Sequence, residues 1–418
     1  MNILDDLQWR GLIQDSTDID ALRAHIDEGH RTFYVGFDPT GQSLHVGHLT
    51  QALTARRLQR AGLRPLLLVG GATGLIGDPR ETSERQLNPR ETVEGWVADI
   101  QEQVRPYVDL TGDNAATLVN NADWTGELTA LDFLRDIGKH FSVNRMLARE
   151  VVKARLESGI SFTEFSYQII QSNDYYELHK RHNCTIQFGG SDQWGNIASG
   201  VDYVRRRGAG PVHAFVTPLV TKADGTKFGK SEGEAVWLDS SLTSPYAFYQ
   251  FWFNTADEDI AKYLRYFSFR DHDEILELEK ATVDRPAARA AQRALAEELT
   301  ALVHGANECA QVIAASQALF GRGELGTLSE ATLEAALREA GAVEVDRNDV
   351  SGIAALFKES GLVKSVSEAR RTVTEGGAYV NNVRVEDADG PLTDEQLLFG
   401  RIAVLRRGRK NISGVIMR

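Results

Sequence analysis

The sequence predicts a parallel α/β sheet domain, then an all-helical body, then a small α+β module at the C-terminal end. Three observations lead there. From residue 31 to about 231, short apolar β-prone runs alternate with helix-period patterns, the arrangement of a parallel sheet covered on both faces. From about 240 to 321 the text is Gly-poor and rich in Ala, Leu and Glu. Near the end, beyond the Gly-, Ser-, Asp- and Asn-rich stretch, Val366-Ser-Glu-Ala-Arg-Arg-Thr-Val373 is followed by Gly376-Gly-Ala-Tyr-Val-Asn381.

Taken in order, residues 1–30 read as helical, with an apolar face from Leu4, Leu7, Leu12 and Ile13. Strands are expected at 32–37, 66–70, 117–120, 185–188 and 212–216, each followed by helical text. In such sheets, ligands bind beyond the strand C-termini, and the polar motifs of this chain mostly follow strand-like runs. The helical text contains Glu274-Ile-Leu-Glu-Leu-Glu279 and the Ala-rich stretch 287–301. Gly, Ser, Asp and Asn between 321 and 351, interrupted by one short helix at 330–340, read as a linker. The expected bodies are therefore 1–231, 232–321, a linker at 322–350, and 351–418.

At 418 residues the chain exceeds what one hydrophobic core serves, and 42% apolar with 25% charged residues marks a soluble globular protein. The acidic start, Met1-Asn-Ile-Leu-Asp-Asp-Leu, is unlike a signal peptide, and residues 66–77 are too short and Gly-rich to span a bilayer, so a cytoplasmic location is expected. Cys184 and Cys309 fit no metal-site spacing and read as buried free thiols. The net charge of −13 is unevenly distributed: residues 351–418 carry 11 Lys and Arg against 8 Asp and Glu, with Arg406-Arg407-Gly408-Arg409-Lys410 concentrated at one place. A basic module on an acidic protein suits contact with phosphate.

Two segments carry the chemistry. His45-Val-Gly-His48 follows the apolar run 32–37 and the break Asp38-Pro39-Thr40-Gly41, which makes a strand, a turn and a helix start. Unpaired N–H groups at a helix N-terminus donate to phosphate, and histidines three apart share a face of the first turn. No Cys or carboxylate beside them completes a zinc site. Thr221-Lys-Ala-Asp-Gly-Thr-Lys-Phe-Gly-Lys-Ser231 is Gly-rich with three lysines, a loop able to place ammonium groups on a polyphosphate. Gly225 and Gly229 are too close together for a P-loop.

Together these segments resemble the HIGH and KMSKS signatures of class I aminoacyl-tRNA synthetases, and the intervening text resembles the bacterial-type tyrosyl branch of that class. The resemblance rests on Tyr34-Val-Gly-Phe-Asp38-Pro-Thr40, Gly70 to Pro79, Asn120 to Trp124, Phe165 to Asp174, Gly189 to Asn196, and the lysine loop. The segment from Val366 to Val383 is similar to the S4-type RNA-binding module. The resemblance implies a Rossmann-like catalytic domain bearing both signatures, a helical anticodon-side domain and an S4-like RNA-binding domain. It implies a ligase that joins L-tyrosine to ATP, releasing pyrophosphate, and then passes tyrosine to the 3′ end of tRNA(Tyr). Mg²⁺ would accompany ATP, and the protein would be a homodimer contacting through the α/β domain.

By the same resemblance, Thr40, His45 and His48 hydrogen-bond the phosphates, while Lys227 and Lys230, followed by Ser231, neutralise pyrophosphate. Gly36, Gly47 and Gly190 give close approach to the nucleotide. Asp192 is implied at the ribose and Asp38 as a support. Tyr34 and Asp174 form the donor and acceptor pair for the substrate hydroxyl; Asp78, Tyr167 and Gln171 hold its ammonium, and Gln193 its carboxylate. One departure is visible: after Asp78-Pro79 the family's lysine-bearing loop is replaced by Arg80-Glu-Thr-Ser-Glu-Arg85, leaving Arg80 or Arg85 to meet pyrophosphate. A related nucleotidylyltransferase would share the first signature without reason for the helical body or the S4-like tail. Tryptophanyl synthetases lack that tail and the Tyr34 and Asp174 pair.

Overall fold

Strand β2 (Thr32–Phe37) lies at the centre of a six-stranded sheet in the computed structural model, with order β1-β6-β5-β2-β3-β4. The structure describes residues 2–79, 87–224, 226, 228–231, 234–321, 323–346, 352–408 and 411–418, with only the backbone of Lys230, Ser231 and Glu234. Arg80, Arg85, Lys227, Arg409 and Lys410 lie outside the described residues.

The chain divides into two units, 1–239 with 257–279 and 240–256 with 280–418. In the first, β2, β3 (Arg64–Val69), β4 (Thr117–Asn120), β5 (Cys184–Gly190) and β6 (His213–Thr217) are parallel. The near-continuous burial of β3 and β5 is what a sheet covered on both faces demands. The N-terminal stretch differs from the all-helical expectation. Between α1 (Ile3–Trp9) and α2 (Ile19–Asp27) it forms β1 (Asp15–Ser16), which pairs antiparallel with β6; two residues are too few to show a period. The chain runs outward from β2 to β3 and β4, then returns to lay β5 and β6 on the other side of β2. This reversal between β2 and β5 opens a crevice at their C-terminal ends.

Helices follow strands as the sequence predicts. After β2 comes α3 (Val46–Arg60), and after β3 comes α4 (Arg90–Val104). The long α5 (Phe162–His182) is capped by Ser161, which accepts from Glu164 N, and ends at Asn183 with φ 51°. Helix α6 (Trp194–Arg206) follows β5. A core of Tyr34, Leu66, Leu68, Trp124, Tyr175 and Ile197 joins one sheet face to α5 and α6. Later come the short hairpin β7 (Lys230–Ser231) and β8 (Glu234–Ala235), then α7 (Asp257–Phe267) and α8 (His272–Asp284).

The second unit contains helices Pro245–Phe253, Ala290–His304, Ala306–Leu319 and Glu330–Glu339. It ends in α9 (Ile353–Glu359), α10 (Val366–Thr374) and a five-stranded sheet of order β11-β10-β12-β13-β9. These strands are β9 (Val343–Val345), β10 (Ala378–Val380), β11 (Val383–Arg384), β12 (Ile402–Arg407) and β13 (Asn411–Met417). The stretch 322–350, which reads as a linker with one short helix, contains that helix and also an edge strand parallel to β13. Three residues in Val-Glu-Val carry too little pattern to announce a strand; pairing with β13 makes it one. Cys184 and Cys309 are buried free thiols.

Candidate active site

Asp38 follows the last residue of β2 and is the hub of the site. Its Oδ1 accepts from Thr73 Oγ1 at 2.7 Å and its Oδ2 from Tyr167 Oη at 2.5 Å. Gly70 must lack a side chain here, because a Cβ would stand 2.1 Å from Thr73 Oγ1 and 2.2 Å from Asp38 Oδ1. Asn121 Nδ2 donates to Thr73 Oγ1 (3.1 Å) and to Asp174 Oδ2 (3.0 Å), and Trp124 Nε1 donates to Asp174 Oδ1 (2.8 Å).

Asp174, on α5, is 1% exposed. Burial drives its carboxyl up to about 7, against the opposing hydrogen bonds of Asn121 and Trp124. Tyr34 is equally buried, and its phenol is raised far above its ordinary value by burial and by the charge of Asp174. Among the described groups, Tyr34 Oη has no hydrogen-bond partner, and neither has Gln171 Oε1 or Gln187 Oε1. Buried polar atoms left this way are the ones a polar ligand would satisfy.

A second network adjoins the first. Asp78 accepts from Gln193 Nε2 (2.8 Å) and Asn196 Nδ2 (3.1 Å), and Asn196 also donates to Gln193 Oε1 (2.9 Å). Burial raises the Asp78 carboxyl; those two hydrogen bonds and the nearby Arg149 guanidinium oppose it. Tyr167 feels Asp38, Asp78 and Asp174 together, so it stands where the two networks meet. Gln193 also donates to Asp192, which is exposed at the mouth, and a Cβ on Gly190 would lie 2.5 Å from Asp192 Oδ1. Gln193, expected at the substrate carboxylate, is here engaged by Asp78, Asp192 and Asn196.

At the other end, His45 is the N-cap of α3 and His48 its third residue. His45 Nδ1 accepts from Gly47 N (3.1 Å), and His48 Nδ1 accepts from His45 N (3.1 Å). With both Nδ1 atoms used as acceptors, the ring proton of each neutral imidazole sits on Nε2, which is left as a donor. The rings lie 4.0 Å apart. Burial lowers both histidines, His48 to about 3 with a further push from His45, so neither is charged near neutral pH. Gly47 is required because a Cβ would meet His45 Cε1 at 2.7 Å. Thr40 is exposed, and so is Gly36, whose added Cβ would make only an ordinary contact with Leu68.

The lysine segment meets the histidine segment through backbone. Val46 N donates to Val236 O and Val236 N to Gly229 O, both at 2.9 Å, and a Cβ built on Gly229 would lie 3.1 Å from Val46 Cγ2. The two sequence signatures are therefore in contact. Lys227 is outside the described residues, and Lys230 and Ser231 are fixed only as backbone in β7.

Sequence reasoning missed Thr73, Asn121, Trp124, Gln187, Asn196 and Arg149 as parts of the site. The available signal was a polar residue inside or just after an apolar strand, as in Cys184-Thr-Ile-Gln187-Phe. In the second unit, Arg406 stacks over the Tyr379 ring at 4.1 Å, and Arg407 pairs with Glu368 at 2.9 Å.

Comparison with known proteins gives a consistent result. Residues 27–321 match the model of class I tRNA synthetases (W and Y), and residues 332–414 match that of the tyrosine–tRNA ligase SYY-like C-terminal domain. Tyrosine–tRNA ligase of Thermobifida fusca is 58% identical over 430 residues, covering 100% of both chains. That of Streptomyces coelicolor is 60% identical over 417 residues, covering 99% of this chain and 98% of the relative. Among solved structures, a C-terminally truncated Aspergillus nidulans mitochondrial tyrosyl-tRNA synthetase superposes with a TM-score of 0.68 at 32% identity, over 74% of this chain and 92% of that one. A Plasmodium falciparum tryptophanyl-tRNA synthetase shares the fold at 14% identity and a TM-score of 0.55, over 79% of this chain and 87% of that one.

Proposed function

The chain belongs to the class I tRNA synthetases for tryptophan and tyrosine, in the tyrosine–tRNA ligase branch, and from that premise we propose how its residues divide the work. The reaction activates L-tyrosine with ATP and transfers it to tRNA. A carboxylate oxygen of tyrosine attacks the α-phosphorus, and the bond from that phosphorus to the oxygen bridging the β-phosphorus breaks, releasing pyrophosphate. No proton moves in this step, so the protein's task is positioning and charge stabilisation. A terminal ribose hydroxyl of tRNA(Tyr) then attacks the tyrosyl carbonyl and displaces AMP.

The observation that carries the tyrosine reading is the buried pair of Tyr34 and Asp174, with Asp174 already held by Asn121 and Trp124. A substrate phenol donating to Asp174 and accepting from Tyr34 completes both groups; phenylalanine leaves them buried and unmet. Tyr167, Asp78 and Gln171 hold the ammonium, with Gln193 and Asn196 orienting Asp78. Gln193 turns to the carboxylate once tyrosine competes for Asp78. Asp192, at the open mouth, takes the ribose, with Asp38 supporting through Tyr167 and Thr73. The Nε2 donors of His45 and His48 and the hydroxyl of Thr40 meet the α-phosphate region as it becomes five-coordinate, Gly36, Gly47 and Gly190 leaving room for the nucleotide. Lys227, Lys230 and Ser231, with Arg80 or Arg85, meet the departing pyrophosphate.

No cluster of three or more metal-ligating side chains occurs among the described residues, and the donors present fit Mg²⁺ carried on the triphosphate oxygens. That ion supplies charge neutralisation of the phosphates. We propose further that the protein is a cytoplasmic homodimer; no helix among the described residues is long and apolar enough to cross a membrane, and exposed Leu131, Leu134 and Val143 on the first unit suit a protein contact. The S4-like module, 351–418, takes tRNA backbone through Arg406 and its neighbours. ATP–pyrophosphate exchange measured separately with Tyr, Trp and Phe tests the central reading: exchange with tyrosine alone is expected, and exchange with tryptophan in preference overturns it.

A further inference from the structure

We infer that Phe228 is a positioning residue for tyrosine activation, its ring setting where the lysine-bearing segment lies against the start of α3. This inference rests on the activation chemistry proposed above. Phe228 is the one large apolar residue in an otherwise polar and Gly-rich stretch, Asp224 to Ser231. Its ring meets Tyr263 edge-on at 5.0 Å and stacks on Phe267 at 5.6 Å and 19°. Both partners are buried residues of α7, Phe267 completely.

The same helix holds the root of the segment. Asp259 Oδ1 accepts from Ala223 N at 2.9 Å, Tyr263 Oη donates to the Thr221 carbonyl at 3.4 Å, and Lys262 Nζ donates to that carbonyl as well. One face of the segment is thus keyed to α7 at residues 221, 223 and 228. The residue after Phe228 is committed to the opposite side. Gly229, at φ +82°, is tied through Val236 to Val46 N and lies 3.7 Å from Gly47 N, measured from an ideal Cβ. Lys230 comes next and pairs through its backbone with Ala235.

Phe228 and Gly229 therefore bridge two fixed bodies, the aromatic face of α7 and the first turn of α3, and Lys230 emerges from that bridge. A lysine on a flexible four-carbon stem stabilises a departing phosphate only if its backbone origin is fixed. A displacement of about 1 Å at such a point costs roughly 100-fold in rate. The ring is seated on Tyr263 and Phe267, and it acts through the lysines beside it in sequence.

The test compares the full-length protein with Phe228→Ala and Phe228→Met. Single-turnover formation of tyrosyl-adenylate, its reversal by pyrophosphate, tyrosine affinity by equilibrium titration, and thermal melting are measured on each. The expected result is that Phe228→Ala slows formation and pyrophosphorolysis by the same factor, about 30- to 100-fold, while tyrosine affinity stays within about twofold. Phe228→Met should stay within about threefold of the parent, because a flexible thioether refills an aromatic seat. Unchanged rates in Phe228→Ala overturn the inference, as does a matching loss of tyrosine affinity, or a methionine variant as slow as the alanine one. Should the alanine variant be unfolded at the assay temperature, Phe228→Leu takes its place under the same criteria. A parent protein that forms no tyrosyl-adenylate instead overturns the activation reading itself.

Discussion

At one end of the site Asp174 is 1% exposed, fixed by two donors and packed beside Tyr34 in the sheet core; at the other, two neutral histidines stand at a helix start that meets the lysine segment through backbone. The difference follows from what each end has to do. Detecting one hydroxyl requires polar atoms taken out of water before the substrate arrives, so that an absent partner is costly. Stabilising a leaving polyphosphate requires donors that engage strongly only as charge develops and that leave the product an exit. On the proposed division of work, the Tyr34 and Asp174 end sets which amino acid is used, and the histidine end how fast it reacts.

Asp174→Ala should have the largest effect, since it removes the proposed acceptor for the substrate hydroxyl, leaves Trp124 Nε1 without its acceptor and leaves Asn121 Nδ2 only Thr73. Tyrosine affinity should fall about 100-fold or more, and unfolding free energy in urea by about 2–4 kcal/mol. Intact affinity in equilibrium dialysis would show that the hydroxyl is read elsewhere.

The two ends should also respond to pH with opposite sign. Asp174 is raised from 3.8 to about 7, so the stability linked to its neutral form is complete below about 4 and is lost as pH rises to about 7. His48 is lowered from 6.5 to about 3, so its contribution is complete above about 6.5 and is lost as pH falls toward 3. Each slope is on the order of a few kcal/mol across its window. Chemical denaturation against pH for Asp174→Asn and His48→Gln should remove the two slopes separately. If either variant keeps the parent curve, the burial assigned to that end is not what governs its titration.

His48→Ala should slow tyrosyl-adenylate formation about 100-fold in single-turnover measurements, with tyrosine affinity within about twofold and a stability loss of about 1 kcal/mol from the broken cap. Equal losses of rate and affinity would erase the division between the ends. The smallest change is expected for Tyr34→Phe, about tenfold in tyrosine affinity, with stability within about 1 kcal/mol because its hydroxyl has no partner among the described groups. A larger loss of stability would mean that this hydroxyl already supports the fold.

Much of the architecture was legible in the sequence. The strands at 32–37 and 117–120 coincide with β2 and β4, and 66–70 overlaps β3, because buried parallel strands are short apolar runs closed by Gly, Asn or Asp. Strands β1 and β9 were not legible, since two or three residues show no period and are made into strands by the neighbours that pair with them. The helix start at His45 was visible as a break after an apolar run. That its two histidines cap it reciprocally was not, because a cap is a matter of backbone geometry.

What the sequence determined by itself was the longer strands and helices, their order, and the polar residues interrupting apolar text, since periodicity and turn chemistry are local. What only the tertiary structure decided was which of those residues meet. Asp38, Thr73 and Asn121 come from three separate stretches and Tyr167 and Asp174 from a fourth, and Asp78 finds Gln193 and Asn196 more than a hundred residues away. The crossover that sets β5 beside β2 makes those meetings, and burial then fixes the charge state of each group. Neither the pairing of distant strands nor the loss of water at a side chain is written in local order.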